Sequence, residues 1–374
     1  MNRDALDEHT RDVQSCDELY LVIRAHHAVL EYPRSVLPDS PVYHHFLLAF
    51  AMQILQQLVL ALSSTSEMAS SRLLADDNAF SSPAGSTWGP PVNYSRPPAI
   101  VLWHGLGDNY NSSGMLRMAE IINQIMPTVF VHSVYLEEKP LDDEKRSLFG
   151  DANIEVDIAC KQLAQIPELA EGFGAIGFSQ GGLFLRALIE RCPNVTVTKL
   201  VTFGSPHMGV LELPLCARDD DWICKKRNAL LKKQVWNSSV QKSVIPAQYF
   251  RDPLQYSNYL EHSNFLCDVN NENPATFSAD AKKRFERLEK LVLIKFDQDT
   301  TLVPKESAFF QELSSLTGQL VGFENTRFYK QDLMGLQKLH KDNKIDFYSV
   351  NDQHMHFLDQ FFVEIVGKYF GFGL

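Results

Sequence analysis

From residue 99 onward the sequence predicts an α/β fold, a mostly parallel sheet with helices packed on its faces. Short apolar runs alternate there with longer helical stretches. Most of the runs are continuously apolar, which is typical of strands covered on both faces. One run leads directly into a serine flanked by glycines, in AIGFSQGGLF at residues 175–184. Sites in such sheets form at the carboxyl ends of the strands, so this serine stands where chemistry is expected.

Six runs are predicted to be the strands of the sheet: AIVLW (99–103), VFVHSV (129–134), FGAIGF (173–178), KLVTF (199–203), LVLIKF (291–296) and DFYSV (346–350). Helical stretches between them include GMLRMAEIINQI (114–125) and EVDIACKQLAQI (155–166). The segment 205–290 exceeds what a connection between two strands needs. We therefore expect it to be a cap-like insertion between core strands.

The composition excludes several classes of function. The chain has 374 residues, of which 45% are hydrophobic and 22% charged, as expected of a globular protein with a large core. Its net charge is −11, and no Lys/Arg cluster stands out, so no nucleic-acid partner is expected. Zinc-like cysteine pairs and phosphate-binding glycine loops do not occur in the sequence. No metal or cofactor is implied.

The N-terminal part differs in composition from the rest. Residues 1–45 are a polar extension, and 65–96 are rich in Ser, Ala and Pro, as linkers are. Between them, 46–64 is apolar but interrupted by Gln53, Gln56 and Gln57, and its apolar blocks have the length of a signal-peptide core. A cleaved signal (with Met52 as an alternative start), an uncleaved membrane anchor and an ordinary buried helix stay open. We expect entry into the secretory pathway, with residues 97–374 as the catalytic domain.

Asn-X-Ser/Thr triplets, which are candidate N-glycosylation sites, and cysteines both bear on the predicted entry into the secretory pathway. The triplets are at Asn93, Asn111, Asn194 and Asn237. The cysteines are Cys16, Cys160, Cys192, Cys216, Cys224 and Cys267. Five of the six lie in the body of the chain, so one of those stays unpaired unless it reaches Cys16.

Ser179 lies between Gly177 and Gly181 at the end of a predicted strand and the start of a predicted helix. Glycine and serine are also common in plain turns. The strand–turn–helix context instead favours a nucleophile elbow, in which a sharp turn holds the serine hydroxyl clear of the sheet. The sequence thus predicts an α/β-hydrolase with Ser179 as its nucleophile.

A second turn, WHGLGD at residues 103–108, follows the first predicted strand. In an α/β-hydrolase, a backbone N–H from this position and one from the residue after the nucleophile bind the oxyanion of the tetrahedral intermediate. Those N–H groups belong to Leu106 and Gln180. The alternative for Leu106 is a loop leucine that covers the core.

Candidates for the acid and the base follow in the order that this fold requires, serine, then acid, then histidine. Asp297 and Asp299 come after the strand LVLIKF, and His354 and His356 come after DFYSV. The residues alone leave the choice within each pair open.

The segments WHGLGD, GFSQGGLFLRALIERC, FGSPHMGV, VLIKFDQDTTLVP and NDQHMHF together resemble the lysosomal palmitoyl-protein thioesterase family, in particular its type 1 enzymes, over residues 97–374. The resemblance implies a serine hydrolase that removes palmitate from thioester-linked cysteines of proteins or peptides. It assigns the acid to Asp299 and the base to His354. It further implies disulfides that leave Cys267 unpaired, namely Cys160 with Cys192 and Cys216 with Cys224.

The sequence offers two alternatives to this function. Cytosolic acyl-protein thioesterases and carboxylesterases share GFSQGG and HGLGD, but they need less chain between nucleophile and acid than the segment from Ser179 to Asp299 provides. A catalytically inactive binding protein is disfavoured, since serine, acid and histidine are all present. We expect the insertion 205–290 to supply apolar walls for an acyl chain.

Overall fold

The computed structural model describes residues 99–213, 228–229 and 231–371. The segments predicted at 1–45, 46–64 and 65–96 lie outside these ranges. Cys16, Asn93, Cys216 and Cys224 also lie outside them. Within the described ranges, no helix is both long and apolar enough to span a bilayer.

The strands of the described ranges are β1 (Ala99–Trp103), β2 (Phe130–Ser133), β3 (Phe173–Phe178), β4 (Val197–Phe203), β5 (Lys290–Phe296), β6 (Glu312–Leu313), β7 (Leu320–Val321) and β8 (Ile345–Val350). Six of them form the central sheet in the order β2-β1-β3-β4-β5-β8, and every neighbouring pair is parallel. β6 and β7 form a separate antiparallel pair. All six predicted strands are present, and their ends differ from the prediction by at most two residues.

The α-helices with defined ends are α1 (Ser113–Ile125), α2 (Pro140–Leu148), α3 (Ala152–Ala164), α4 (Gln180–Arg191), α5 (Ser238–Ser243), α6 (Ile245–Gln248), α7 (Tyr256–His262), α8 (Leu266–Val269), α9 (Ala279–Phe285), α10 (Arg327–Lys330), α11 (Leu336–Lys341) and α12 (Asp359–Phe370). Short 3-10 turns occupy Pro167–Leu169, Pro253–Gln255, Lys305–Phe309 and Phe323–Asn325. The predicted helices at 114–125 and 155–166 correspond to α1 and α3.

The core lies in two layers, one on each face of the sheet. Successive side chains of a strand point to opposite faces. Val101 of β1 accordingly packs in one apolar cluster with residues of α3 and α4, and Leu102 packs in the other with residues of α1 and α12. Both side chains are fully buried, and burying a side chain of this size contributes about 1.5–3 kcal/mol. Burial on both faces explains why the strands read as continuous apolar runs.

The predicted insertion is present between β4 and β5, and its described part holds the five short helices α5 to α9. It has a small apolar cluster of its own, around Leu213, Val235, Ala247 and Phe250. The buried guanidinium of Arg251 lies 2.8 Å from a carboxylate oxygen of Glu272 within the insertion, and 2.7 Å from one of Glu312, which ties the insertion to the rest of the fold.

A disulfide joins Cys160 of α3 to Cys192, the residue that ends α4, with 5.8 Å between the two Cα atoms. This is one of the two pairings that the family resemblance implied. Cys267 is buried and free in the described part of the chain. The parallel sheet, the helices on both faces and the turn from β3 into α4 confirm the predicted α/β-hydrolase fold.

Candidate active site

Ser179 occupies the sharp turn between β3 and α4, with φ 50° and ψ −119°. A positive φ strains a residue other than glycine by about 1–3 kcal/mol, and such strain concentrates at functional sites. The turn is held by the Ser179 N–H, which donates to the carbonyl of Phe203 on the neighbouring strand at 2.7 Å. The predicted nucleophile therefore stands at the carboxyl edge of the sheet.

The glycines beside the serine permit close backbone contacts. A Cβ at Gly177 would lie 2.3 Å from the Cα of Gly182, and a Cβ at Gly181 would lie 2.3 Å from the carbonyl oxygen of Trp103. Both distances are too short for any side chain. The G-x-S-x-G pattern is thus explained by packing of the first turn of α4 against β1 and β3.

Asp299 follows β5 and is almost fully buried, with 1% of its side chain exposed. Its Oδ1 accepts hydrogen bonds from the N–H groups of Thr301 and Leu302, both at 2.9 Å. These bonds fix the carboxylate so that Oδ2 faces His354.

His354 lies in the loop after β8 and connects the acid to the serine. Its Nδ1 is 2.5 Å from Asp299 Oδ2, and its Nε2 is 3.0 Å from Ser179 Oγ. Since a carboxylate oxygen only accepts, Nδ1 carries a proton and Nε2 is left to accept the serine proton. This is the arrangement of a nucleophile, a general base and a residue that orients the base.

The other two candidates lie elsewhere. Asp297 pairs with the Nζ of Lys295 at 2.6 Å, and 40% of its side chain is exposed. The side chain of His356 is 66% exposed, and its Nδ1 lies 3.8 Å from Asp352. The structure brings Asp299 and His354 to Ser179 and leaves Asp297 and His356 in other contacts.

The two predicted oxyanion donors flank the serine. Gln180 begins α4 directly after Ser179, and Leu106 lies in the loop after β1, where a Cβ on its neighbour Gly105 would come within 3.2 Å of the Ser179 Cβ. Within the described ranges, neither the Leu106 N–H nor the Gln180 N–H donates to a protein acceptor. Both donors are thus free to bind an oxygen at the serine.

A cavity of about 360 Å³ opens above Ser179 and His354. Its apolar wall is built from five parts of the chain: α1, the end of β3, the insertion, the loop after β5 and the loop that carries His354. The apolar side chains are those of Met115, Met118, Phe178, Val210, Leu302, Met355 and Phe357. The insertion 205–290 contributes Pro206, Val210 and Tyr249 to this lining. The sequence predicts apolar walls from the insertion; in the structure, α1 and the loop that carries His354 line this cavity as well.

Several polar residues near the site were missed by the sequence analysis. Asp143 and Ser147 of α2 are buried and bonded to the loop of Leu106. Their segment, PLDDEKRSL, has the composition of a solvated helix, so no sequence signal set them apart. Tyr249 of the insertion donates to the side-chain oxygen of Gln180 at 3.1 Å.

Glu155 of α3 is a buried carboxyl group that has no role in the arrangement above. Neither of its carboxyl oxygens has a hydrogen-bond partner in the part of the chain that the structure describes. Burial raises its pKa to about 9, and the nearby charge of Arg146 offsets this only in part. The side chain is therefore neutral at neutral pH. Among the described residues, no cluster of His, Cys, Asp and Glu is arranged to hold a metal ion.

Comparison with known proteins identifies the family. The sequence model of the family described as palmitoyl protein thioesterase matches residues 99–354, a range that holds Ser179, Asp299 and His354. The chain is 36% identical to palmitoyl-protein thioesterase 1 of Caenorhabditis elegans over 281 residues, which cover 74% of this chain and 93% of that protein.

Two further relatives agree. Palmitoyl-protein thioesterase 3 of Dictyostelium discoideum is 29% identical, over 70% of this chain and 86% of that protein. The lysosomal thioesterase PPT2 of Homo sapiens is 26% identical, over 67% of this chain and 78% of that protein. The cytosolic acyl-protein thioesterase alternative is thus not favoured. The chain belongs to the palmitoyl protein thioesterase family and is a thioester hydrolase of the α/β-hydrolase fold.

Proposed function

We propose that the protein hydrolyses the thioester that links a long fatty acyl chain, palmitate in particular, to cysteines of proteins or peptides. One observation carries the proposal: Ser179 Oγ lies 3.0 Å from His354 Nε2 at the floor of an apolar cavity, in a chain of this family. Ser179 is the nucleophile, His354 the general base and Asp299 the residue that orients it.

In acylation, His354 Nε2 takes the hydroxyl proton of Ser179 while Oγ attacks the thioester carbonyl carbon. The negative charge that develops on the carbonyl oxygen is met by the N–H groups of Leu106 and Gln180. Donors of this kind typically contribute about 3–4 kcal/mol each to transition-state stability. Collapse of the intermediate breaks the carbon–sulfur bond, and the departing sulfur takes the proton from His354 Nε2, so that the cysteine leaves as a thiol and the imidazole is neutral again.

In deacylation, water attacks the acyl-enzyme and His354 again takes a proton. The tetrahedral intermediate forms with its oxygen between the same two donors, and its collapse releases the fatty acid and returns the proton to Ser179. Asp299 stabilises the imidazolium in both half-reactions, because its Oδ2 lies 2.5 Å from Nδ1.

The acyl chain is assigned to the apolar wall around Met115, Met118 and Phe357. Each methylene that leaves water contributes about 0.8 kcal/mol. A substrate with a long saturated chain therefore gains more from this cavity than a short-chain ester.

We further infer that the protein enters the secretory pathway and acts in the lysosome. Support comes from the lysosomal name of a relative, from the Cys160–Cys192 disulfide and from three exposed glycosylation triplets, at Asn111, Asn194 and Asn237. Disulfides persist in oxidising compartments and are rare in the cytosol. The segment 46–64 remains the proposed signal or membrane anchor.

The proposal is tested by turnover of a palmitoyl-cysteine peptide and of the matching palmitoyl-serine oxygen ester, with Ser179→Ala beside the wild type. The thioester is expected to be the better substrate, and Ser179→Ala is expected to lose about 10⁶-fold in kcat, as when a serine nucleophile is removed. The substitution removes one hydroxyl from the cavity floor, so the unfolding temperature should stay close to that of the wild type. Turnover by Ser179→Ala at the wild-type rate would exclude the mechanism, and a preference for the oxygen ester would indicate a carboxylesterase.

A further inference from the structure

We propose that helix α2 holds both oxyanion donors in register, with Ser147 as the central positioning residue and Asp143 as a second one. This inference rests on the proposed function, since it concerns the oxyanion site of that reaction. It assigns a role to a helix that contributes no residue to the cavity lining.

The loop of Leu106 is bonded to α2 beside the first donor. The Gly107 N–H donates to Ser147 Oγ at 2.8 Å, and the same hydroxyl donates to the Glu144 carbonyl at 2.7 Å. The hydroxyl is buried and its own donor bond is fixed, so it presents a lone pair to the loop. Because the peptide between Leu106 and Gly107 is planar, fixing the Gly107 N–H restricts the backbone at Leu106.

Asp143 holds the two ends of the same loop. Its Oδ2 accepts the Tyr110 N–H at 3.0 Å and lies 3.1 Å from His104 Nε2. Its Oδ1 accepts the Leu136 N–H at 2.7 Å. Burial opposes ionisation, but the His104 contact and the Leu136 N–H keep the pKa of Asp143 below its usual value. The buried carboxylate is therefore charged.

The second donor is attached to the same residue of α2. The side-chain amide of Gln180 donates to the Ser147 carbonyl at 3.0 Å, and its oxygen accepts from Tyr249 at 3.1 Å. Gln180 is 3% exposed, so these bonds are shielded from water. Ser147 thus binds the loop of one donor through its hydroxyl and the residue of the other donor through its carbonyl.

This geometry matters because the two N–H groups act only if both lie about 2.7–3.1 Å from the developing oxyanion. The donors belong to segments that follow different strands, β1 and β3. Their spacing is set directly by one residue of α2. Loss of the Ser147 hydroxyl is expected to loosen the first donor while the serine, the base and the cavity stay in place.

The test compares Ser147→Ala with Thr326→Val. Thr326 is a matched control because its buried hydroxyl also accepts a backbone N–H, from Tyr329, and donates to a carbonyl, that of Phe323. With a palmitoyl-cysteine peptide, Ser147→Ala should lower kcat by about 10-fold or more, part of the 10²–10³-fold loss seen when an oxyanion donor is removed. KM should stay within about twofold, because the donors act on the transition state. Thr326→Val should leave both constants unchanged, and Ser147→Thr, which keeps the hydroxyl, should restore turnover.

Two inhibitors separate positioning from general loosening of the structure. A long-chain trifluoromethyl ketone accepts Ser179 Oγ at its carbonyl carbon, with the serine proton on His354, and so places an oxyanion between the donors. Its affinity should fall in Ser147→Ala by the same factor as kcat/KM. An S-hexadecyl-cysteine peptide, a thioether that forms no oxyanion, should bind with unchanged affinity.

Equal weakening of both inhibitors, or wild-type turnover by Ser147→Ala, would overturn the positioning role. If Ser147→Ala does not fold, Ser147→Cys replaces it, because the thiol keeps nearly the same shape but accepts hydrogen bonds weakly. Ser179→Ala serves as the reference. If Ser147→Ala turns over substrate at the wild-type rate while Ser179→Ala is inactive, the role of α2 is rejected and the proposed function stands. Turnover by Ser179→Ala at the wild-type rate rejects the proposed function as well.

Discussion

Replacing Asp299 by Asn should cost far more activity than replacing Asp297 by Asn. In Asp299→Asn the side-chain oxygen is expected to keep its bonds to the N–H groups of Thr301 and Leu302, both 2.9 Å long. The amide nitrogen then faces His354 Nδ1 and donates to it. The imidazole must carry its proton on Nε2, and it cannot accept from Ser179.

The alternative orientation of the new amide does not restore proton transfer from Ser179 to His354. It would turn the NH2 group towards two buried backbone donors, at a cost of about 1–3 kcal/mol for each unsatisfied group. Catalysis by the wrong tautomer is slower by about 10⁴, equivalent to roughly 5.5 kcal/mol in the activation free energy.

The Asp297→Asn control removes an ion pair that is partly open to solvent. Asp297 is 2.6 Å from Lys295 Nζ and 40% exposed. Such a pair contributes at most about 1 kcal/mol to stability, and Asp297 does not contact His354. Steady-state kinetics with a palmitoyl-cysteine peptide, recorded by thiol release, compares the variants at equal folded concentration. A loss below about tenfold in Asp299→Asn, or an equal loss in Asp297→Asn, would refute the assignment of the acid.

Four other predictions concern the base, the covalent modifications, the substrate and pH. His354→Ala should abolish turnover, whereas His356→Ala should retain it, because the His356 side chain is 66% exposed and lies in other contacts. Measuring kcat for each variant tests which histidine is the base. Non-reducing peptide mapping should find two disulfides, Cys160 with Cys192 and Cys216 with Cys224. Glycosidase treatment of the cell-derived protein should lower its mass, whereas free thiols without glycans would indicate a cytosolic enzyme. For acyl-cysteine peptides below their micelle concentration, kcat/KM should rise several-fold for each added pair of carbons, up to about 14–18 carbons. The upper limit for each pair is the transfer free energy of two methylenes, about 1.6 kcal/mol. A flat series would indicate a short-chain esterase. Glu155 has a pKa of about 9 in the fold against 4.5 in the unfolded chain, so its contribution to stability is full below pH 4.5 and is lost as pH rises towards 9. Glu155→Gln should therefore raise the melting temperature near pH 8 and leave it unchanged near pH 4, and an equal shift at both would contradict the neutral buried carboxyl.

The sheet could be predicted from sequence because each of its strands is covered on both faces. Residues such as Val101 and Leu102 point to opposite faces and are both buried, so whole strands are apolar and easily recognised. The elbow was equally visible, because only glycine fits at Gly177 and Gly181. Order along the chain then limited the acid and the base to two candidates each.

The remaining features depend on contacts between distant segments. Asp299 and Asp297 are only two residues apart, but their carboxylates have different partners. The N–H groups of Thr301 and Leu302 bind Asp299, and the ammonium of Lys295 binds Asp297. The short helices of the insertion, four to seven residues each, are too short to show a periodic pattern. Ser147 lies in a charged helix and becomes notable only through the loop that binds it.

The order of the strands along the chain has a consequence for how activity arises during folding. Ser179 and its two oxyanion donors lie on the part of the sheet formed by β1, β3 and β4, all of which precede the insertion along the chain. Asp299 and His354 follow β5 and β8, and β5 pairs with β4 only after the whole segment between Phe203 and Lys290 has been closed into a loop. Closing so long a loop is entropically costly, and pairing between strands distant in sequence is slow. A nascent chain is therefore expected to build its serine elbow before its proton relay, so the recovery of hydrolysis on refolding reports the late docking of β5 and β8 rather than the first collapse of the sheet.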